Sequence, residues 1–328
     1  MRNFTSQDIF SITGEREFNE LALAVFNFQA INSSVYAAFL SNLGLNASEI
    51  KHIEQIPYLP IEFFKTQEIT CPAGAPEIIF TSSGTTGSSQ SKHLVTDLSI
   101  YEQSYRRCFR QFYGNVQDMA ILALLPSYQE REGSSLIYMI DDLIRQSRLE
   151  QSGYFLYNHS ELAETLEALK RAKTHTILIG VTYALLDFAE SHITEFPELI
   201  VMETGGMKGK RREMIREELH EILCQGFGVP AIHSEYGMTE LLSQGYSKGG
   251  GLFHTPPWMK VSIRDINDPL SRLGTGHSGG INVIDLANIH SCSFLATQDL
   301  GKLHTDGSFE ILGRFDNSDI RGCNLLVQ

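Results

Sequence analysis

The chain has 328 residues, 42% of them hydrophobic, enough to bury one large core and a smaller lobe. Twenty-six basic residues against 39 acidic ones give a formal charge of −13 at pH 7, which argues against a general nucleic-acid or anionic-membrane surface and leaves any phosphate ligand to a local pocket. The longest apolar runs (AILALL, ILIGV) fall far short of the roughly 18–20 residues of a membrane span, MRNFTSQDIF lacks a signal-peptide core, and Cys71, Cys108, Cys224, Cys292 and Cys323 show no zinc-type spacing, so a cytoplasmic protein with reduced thiols is expected.

Residues 15–70 read as helical and then extended. Phe18, Leu21, Ala22 and Val25 recur at helical spacing, as do Val35, Tyr36, Phe39 and Leu40. The two prolines of QIPYLPIEFFK forbid a helix there. Short apolar strands then alternate with amphipathic helices: EIIF, a helix over about 97–112, MAILALL, a helix over about 133–148, TILIG and its following helix, ELIVMET, a helix over about 208–225, and PAIHSEY. That alternation predicts an α/β fold with largely parallel strands. After about residue 245 the chain turns to Gly-rich loops and β-rich segments, WMKVSIRD, GGINVIDL and GKLHTDGSFEIL. The expected organisation is a helical entry segment plus an α/β core over 1–244 and a small β-rich subdomain over 245–328, closely packed because no repeat or low-complexity linker intervenes.

Four stretches carry chemistry. EIIF empties into TSSGTTG, residues 81–87. Gly permits positive φ and Ser/Thr add donors without bulk, so such a loop can wrap a polyphosphate; a polar surface turn is the plainer alternative. The spacing to Lys92 is not that of a Walker A loop. METGGMKGKRRE sets Gly205 and Gly206 just past a strand, where backbone can approach a ring or a phosphate. HSEYGMTE, residues 233–240, adds a ring, a hydroxyl and a carboxylate, and TQDLGKL with GRFDNSDIRG supplies Asp299 and Arg314.

In this order the four stretches resemble the adenylate-forming superfamily of acyl-CoA synthetases, adenylation domains and firefly-type luciferases. Through IPYLPIEFFK, TSSGTTG, METGGMKGKRRE, HSEYGMTEL and GRFDNSDIRGCNL, nearly the whole chain is similar to the acyl-protein synthetases of bacterial bioluminescence, the LuxE family. The resemblance implies layered sheets flanked by helices and the cofactors ATP and Mg²⁺. It implies that Thr81, Ser82, Ser83, Gly84, Thr85, Thr86 and Gly87 grip the β,γ-phosphates and that Gly205, Gly206 and Gly237 lie along the nucleotide. Tyr236 would lie against adenine, Thr239 near the α-phosphate, Glu240 on Mg²⁺, Asp299 on the ribose hydroxyls with Arg314 beside it, and Asp316 at the hinge position.

The implied reaction turns a fatty acid and MgATP into acyl-adenylate and pyrophosphate, then passes the acyl group to a protein thiol, with a reductase as acceptor partner. Two departures from the wider superfamily stand out. SSQSK replaces the usual Pro-Lys after the loop, and the chain runs six residues past Gly322 with no sign of the mobile C-terminal domain and its lysine. On that reading Lys92, Arg131, Lys208, Lys210 or Arg211 supplies the missing cation. Cys323, beside the tail residue Arg321, is either an acyl-accepting thiol or a small buried hydrophobe. An acyl-CoA ligase resembling phenylacetate-CoA ligase, and a non-catalytic nucleotide- and acyl-binding module, are the alternatives.

Other signals have plainer readings. GYSKG matches the hydrolase elbow G-x-S-x-G but lacks a following helix, and GTGHSGG matches G-x-G-x-x-G but precedes a strand. His233 reads as a partly buried structural histidine, ILIGVTYALL as core before acyl channel, and the Arg211–Glu213 charges as a solvated helix face. Ser134 and Ser135 fit a helix cap and equally a carboxylate-steering N-terminus.

Overall fold

The computed structural model describes residues 4–71, 74–83, 90–127, 130–205 and 214–315. Helices α1 (Ser6–Ile9), α2 (Glu15–Asn32) and α3 (Ser34–Asn42) lead to the short strand β1 (Leu59–Pro60) and helix α4 (Phe63–Thr66). A hairpin of β2 (Ile78–Thr81) and β3 (Lys92–Val95) forms a separate two-stranded sheet. There follow α5 (Leu98–Tyr113), β4 (Ala120–Leu124), α6 (Ser135–Gln146), β5 (Gly153–Tyr154), α7 (His159–Ala172), β6 (Thr176–Gly180), α8 (Thr182–Ser191), β7 (Ile200–Glu203), α9 (Arg216–Phe227) and β8 (Ile232–Tyr236). The remaining strands are β9 (Gly245–Ser247), β10 (Phe253–His254), β11 (Met259–Arg264), β12 (Arg272–Leu273), β13 (Ser278–Asp285), β14 (Phe294–Leu303) and β15 (Phe309–Arg314).

One large sheet runs in the order β12-β11-β13-β14-β15-β10-β9-β8-β7-β6-β4-β5, with β1 parallel to β14. Strands β5, β4, β6, β7 and β8 are parallel, as their alternation with helices predicts, and β9 reverses direction against β8. β4 and β6 are buried along their whole length because both faces are covered, while β8 (IHSEY) alternates buried and half-buried residues. On β4, Ile121 and Ala123 enter one core with α2, α3, α5 and α6, while Ala120, Leu122 and Leu124 enter a second with α7, α8 and α9. Thus ILIGVTYALL is core, with β6 buried along its length and Leu185 and Leu186 packed beneath it.

Local chemistry sets the helix ends. Asp97 caps α5 by accepting from the Ser99 N–H at 3.0 Å, and Gly114 closes it at φ 93°. Ser134 caps α6 through the Ile137 N–H at 3.4 Å, the capping reading of that serine. The helix expected over 208–225 is Arg216–Phe227, residues 206–213 lying outside those described. The prolines of QIPYLPIEFFK were expected to forbid a helix, but α4 begins at Phe63, beyond Pro60 and clear of the backbone that a proline ring restricts. Sequence periodicity also missed several short or weakly apolar elements, α7 and β3 among them. Helix α7 buries only the narrow stripe Leu162, Leu166 and Leu169 on an otherwise charged surface, and β3 is four residues long.

Among the described residues no single helix is long and apolar enough to cross a membrane; α2 and α3 pass that test only together, bent by 95°, and both bury residues in the first core.

The two halves of the sheet are tied by a buried polar clamp. The Asp285 carboxylate accepts from the N–H groups of Leu242 and Ser243, each at 2.9 Å, from Ser243 Oγ at 2.6 Å and from the Ala287 N–H at 3.0 Å. Asn288 donates to the Glu240 carbonyl at 2.7 Å and accepts from the Leu242 N–H at 3.0 Å. Gln29 of α2 in turn donates to the Asn288 carbonyl at 2.9 Å. Asp285, Asn288 and Gln29 have no exposed surface. Asp285→Ala leaves Ser243 and Ala287 N–H groups buried without an acceptor and should lower stability by about 3–5 kcal/mol in urea unfolding, Asp285→Asn by less.

Candidate nucleotide and acyl site

The carboxyl ends of parallel strands in an open α/β sheet leave a crevice lined by their loops. Here β7 ends at Glu203 and turns at Gly205, whose φ of 74° favours glycine, and its N–H donates to Glu203 Oε2 at 2.7 Å. Strand β8 ends at Tyr236 and runs through Gly237 and Thr239 to Glu240.

Tyr236 is buried, its ring meeting Phe253 and Phe309 edge to face at centroid distances of 6.1 and 5.6 Å. Its hydroxyl donates to Asp299 Oδ2 at 2.8 Å, and Arg314 Nε donates to Asp299 Oδ1 at 3.0 Å. Asp299 and Arg314 are register partners on β14 and β15, so antiparallel pairing brings them together across fifteen residues of sequence. The three residues form one continuous ion-and-hydroxyl chain. Glu240 is buried to 7% exposure, and its pKa lies above the usual carboxylate value because burial outweighs the Ser91 hydroxyl and the charges of Arg314 and Lys65.

The paired strands β2 and β3 bring Thr81 and Ser82, the described start of the Ser/Thr/Gly stretch, to the same place. Thr81 pairs with Lys92, the Ser82 N–H donates to the Ser91 carbonyl at 3.1 Å, and the Ser91 N–H donates to Ser82 Oγ at 3.0 Å. Strand alternation turns Lys92 outward and His93 inward. His93 Nδ1 lies 2.9 Å from the Thr239 carbonyl and Nε2 lies 2.9 Å from Ser291 Oγ, so the neutral ring donates to the former and accepts from the latter. Burial lowers its pKa to about 4.

Thus Thr81, Ser82, Lys92, Tyr236, Gly237, Thr239, Glu240, Asp299 and Arg314 belong to connected elements, and Gly205 lies at the neighbouring strand end. Ser83 is exposed beside them. Gly84, Thr85, Thr86, Gly87, Gly206, Lys208, Lys210, Arg211, Asp316 and Cys323 lie outside the described residues. His93, Ser91 and Asn288, which hold the Thr239–Glu240 backbone and carboxylate, were not singled out from sequence. The in/out alternation of KHLV was the available signal for His93.

The other motifs keep their plainer readings. Ser247 is wholly buried in β9, its hydroxyl bonded to Gly249, with no helix following. His233 is lowered to a pKa of about 4 by burial and by Lys248, and lies 3.3 Å from the Tyr113 hydroxyl.

Glu240 offers a single buried carboxylate to a hard cation, and among the described residues no group of three or more His, Cys, Asp or Glu side chains converges that could hold a metal ion. Asp299 keeps lone pairs for further hydroxyl donors beyond Tyr236 and Arg314.

No protein-family model and no curated protein matches the chain. Solved structures do. ATP-bound MatB from Rhodopseudomonas palustris is similar at TM-score 0.55 and 20% identity, over 74% of this chain and 49% of MatB. A 2-hydroxyisobutyryl-CoA ligase with 2-HIB-AMP and CoA bound is similar at TM-score 0.66 and 13% identity, over 93% of this chain and 72% of the ligase. A long-chain-fatty-acid-CoA ligase from Archaeoglobus fulgidus matches at TM-score 0.52 and 17% identity, over 72% and 51%. The chain spans about half the length of MatB and of the Archaeoglobus ligase. It shares their fold, a large sheet flanked by helices.

The His93 contact has a pH signature. The folded pKa near 4 lies below the ordinary 6.5, so between these values the unfolded chain binds a proton that the native chain refuses. Stability should fall on this account by about 2–3 kcal/mol as pH drops from 6.5 to 4. His93→Gln, which can keep both hydrogen bonds without titrating, should show a shallower decline in urea unfolding across that window.

Proposed function

We propose that this chain activates a carboxylic acid with MgATP as an acyl-adenylate, releases pyrophosphate and passes the acyl group to a thiol. The observation that carries this is the junction of the Tyr236–Asp299–Arg314 chain and the buried Glu240 with the Ser/Thr hairpin at the ends of parallel strands, on a fold shared with ligases solved with ATP and with an acyl-adenylate. In this reading Tyr236 packs the adenine side, Asp299 takes the ribose hydroxyls and Arg314 fixes its carboxylate. Thr81 to Gly87 hold the β,γ-phosphates, Gly205, Gly206 and Gly237 let backbone approach the nucleotide, and Thr239 lies by the α-phosphate.

The acid's carboxylate oxygen attacks the α-phosphorus in line, and the bond to the pyrophosphate oxygen breaks. Glu240 would hold a Mg²⁺ ion, which would supply neutralisation of the phosphate charge. Ser91 orients the Glu240 carboxylate, His93 fixes the backbone one residue before it, and Lys92 is the described hairpin cation that can meet growing negative charge. A thiolate then attacks the acyl carbon, and AMP leaves with the electrons of the cleaved C–O bond.

The resemblance to acyl-protein synthetases supports a fatty acid as substrate, with Cys323 or a partner such as a reductase as acceptor. A second reading, transfer to CoA, is favoured by the CoA-bound ligase of similar fold. ATP–pyrophosphate exchange over acids from acetate to myristate tests the first step and separates both readings from a non-catalytic binding module; stimulation of turnover by free CoA separates them from each other.

Glu240→Gln should cut exchange at least about 100-fold while the unfolding midpoint stays near that of wild type. Near-normal exchange in that variant would remove the metal assignment. With labelled acid and ATP, wild type should form a hydroxylamine-sensitive acyl-protein and Cys323→Ser should keep exchange but lose the label. A thioester surviving in Cys323→Ser would assign another acceptor.

A further inference from the structure

At the end of β7, Glu203 is a carboxylate that the proposed chemistry does not use. It sits in the middle of the parallel sheet as register partner of Gly180 on β6 and of Ser234 on β8, and it is 7% exposed. An ion in such a place is expensive unless its neighbours compensate. Burial works to raise its pKa, yet the His220 and Ser234 side chains, the Gly205 N–H and the charge of Arg216 outweigh burial and hold the carboxyl below the ordinary carboxylate value. Glu203 is therefore an ionised group kept inside the sheet.

What the charge holds is the turn that follows the strand. Glu203 Oε2 accepts from the Gly205 N–H at 2.7 Å and from Thr182 Oγ1, at the start of α8, at 3.4 Å. The Thr182 N–H donates in turn to the Gly205 carbonyl at 2.9 Å, and the Thr204 N–H donates to the Gly180 carbonyl at 3.1 Å. Glu203, Gly205 and Thr182 thus close a ring of three hydrogen bonds that joins the β7 turn to the N-terminus of α8, where a negative charge is favoured. Gly205 has its one donor committed inward and its carbonyl already engaged. What it leaves to the crevice is bare backbone: a Cβ built there would meet no described protein atom within 4 Å, and the φ of 74° is one that glycine adopts without strain.

We infer that Glu203 is a positioning residue for nucleotide binding: its carboxylate locks the Gly205 turn against α8, so that the turn meets ATP already in shape, with bare backbone facing the crevice. This rests on the acid-activating reading above and adds to it a buried residue that acts through Gly205. A glycine turn free to move would lose its backbone freedom at every binding event, and a Gly205 N–H without its acceptor would exchange between water and phosphate oxygen. The charge-assisted bond removes both costs in advance.

The test compares wild type, Glu203→Gln and Glu203→Leu. ATP–pyrophosphate exchange gives the KM for ATP and, at saturating ATP, the KM for the acid; calorimetry gives ATP affinity. The Gln side-chain oxygen can still accept from the Gly205 N–H, so Glu203→Gln should stay within about threefold of wild type in ATP affinity, while Glu203→Leu should lose about tenfold or more. The acid KM should stay within about twofold in both variants, a selectivity that a general loosening of the fold would not give. Where Glu203→Leu does not fold, the Gly205 amide decides. In protein labelled with ¹⁵N-glycine, its signal identified by its absence from Gly205→Ala, it should exchange slowly in free wild type and as slowly with ATP bound.

Equal ATP affinity in all three proteins, equal loss in both variants, or a loss matched in the acid KM overturns the inference and leaves the adenylation reading standing. A Gly205 amide that exchanges freely, or loses its protection when ATP binds, does the same. ATP binding that depends on Glu203 without exchange on any acid supports the positioning role and removes the adenylation reading. Absence of ATP binding in wild type overturns the two together.

Discussion

The buried carboxylate of Asp285 organises the described structure more than any motif residue does. It collects three backbone N–H groups and one hydroxyl at the point where the antiparallel strands meet the loop following β8. Four donors aimed at one charge make an unmet anion there expensive, so the 240–243 loop and the 285–288 turn form together or not at all. Asn288 extends the clamp to the Glu240 carbonyl, and Gln29 carries it to the N-terminal helices. The position of the Glu240 backbone is therefore set from three regions far apart in sequence.

Two further contacts complete that control. His93 holds the Thr239 carbonyl from the hairpin, and Ser91 holds the Glu240 side chain. Asp299 and Arg314 come from the far side, joined to β8 through the Tyr236 hydroxyl. A site assembled this way depends on pairing register: a one-residue slip between β14 and β15 would turn Arg314 to the opposite face and leave Asp299 charged and unpaired.

Much of the architecture was legible before the coordinates. Continuous apolar runs such as AILALL and TILIG announce strands covered on both faces, and the helical spacing of Phe18 to Val25 is that of a buried stripe. The motif residues Tyr236, Asp299 and Arg314 were legible as a set, yet their mutual hydrogen bonds were not, because antiparallel pairing across a sheet leaves no trace in local spacing. Helix α7 was missed since three leucines among charges give too narrow a stripe to outweigh its polar surface. Glu203 and Asp285 were missed for a different reason. A carboxylate in a strand reads as solvent-facing until its neighbours are known, and both sit beside residues contributed from elsewhere in the chain.

The division of the parallel strands between two cores has a consequence for how such a chain can change over time. The core under α7, α8 and α9 is built from aliphatic and aromatic side chains and takes in none of the residues that converge beside Tyr236, whereas Tyr236, Leu241, Leu242 and Tyr246 all belong to the other core. Substitutions that conserve volume beneath α7–α9 cost little and stay clear of the crevice, while changes beneath α5 fall in the core that holds Tyr236 and the start of the loop after it. Divergence can therefore accumulate on one side of the sheet as neutral drift and act on the other as selection on ligand choice, which lets a fold outlast nearly all of its sequence identity.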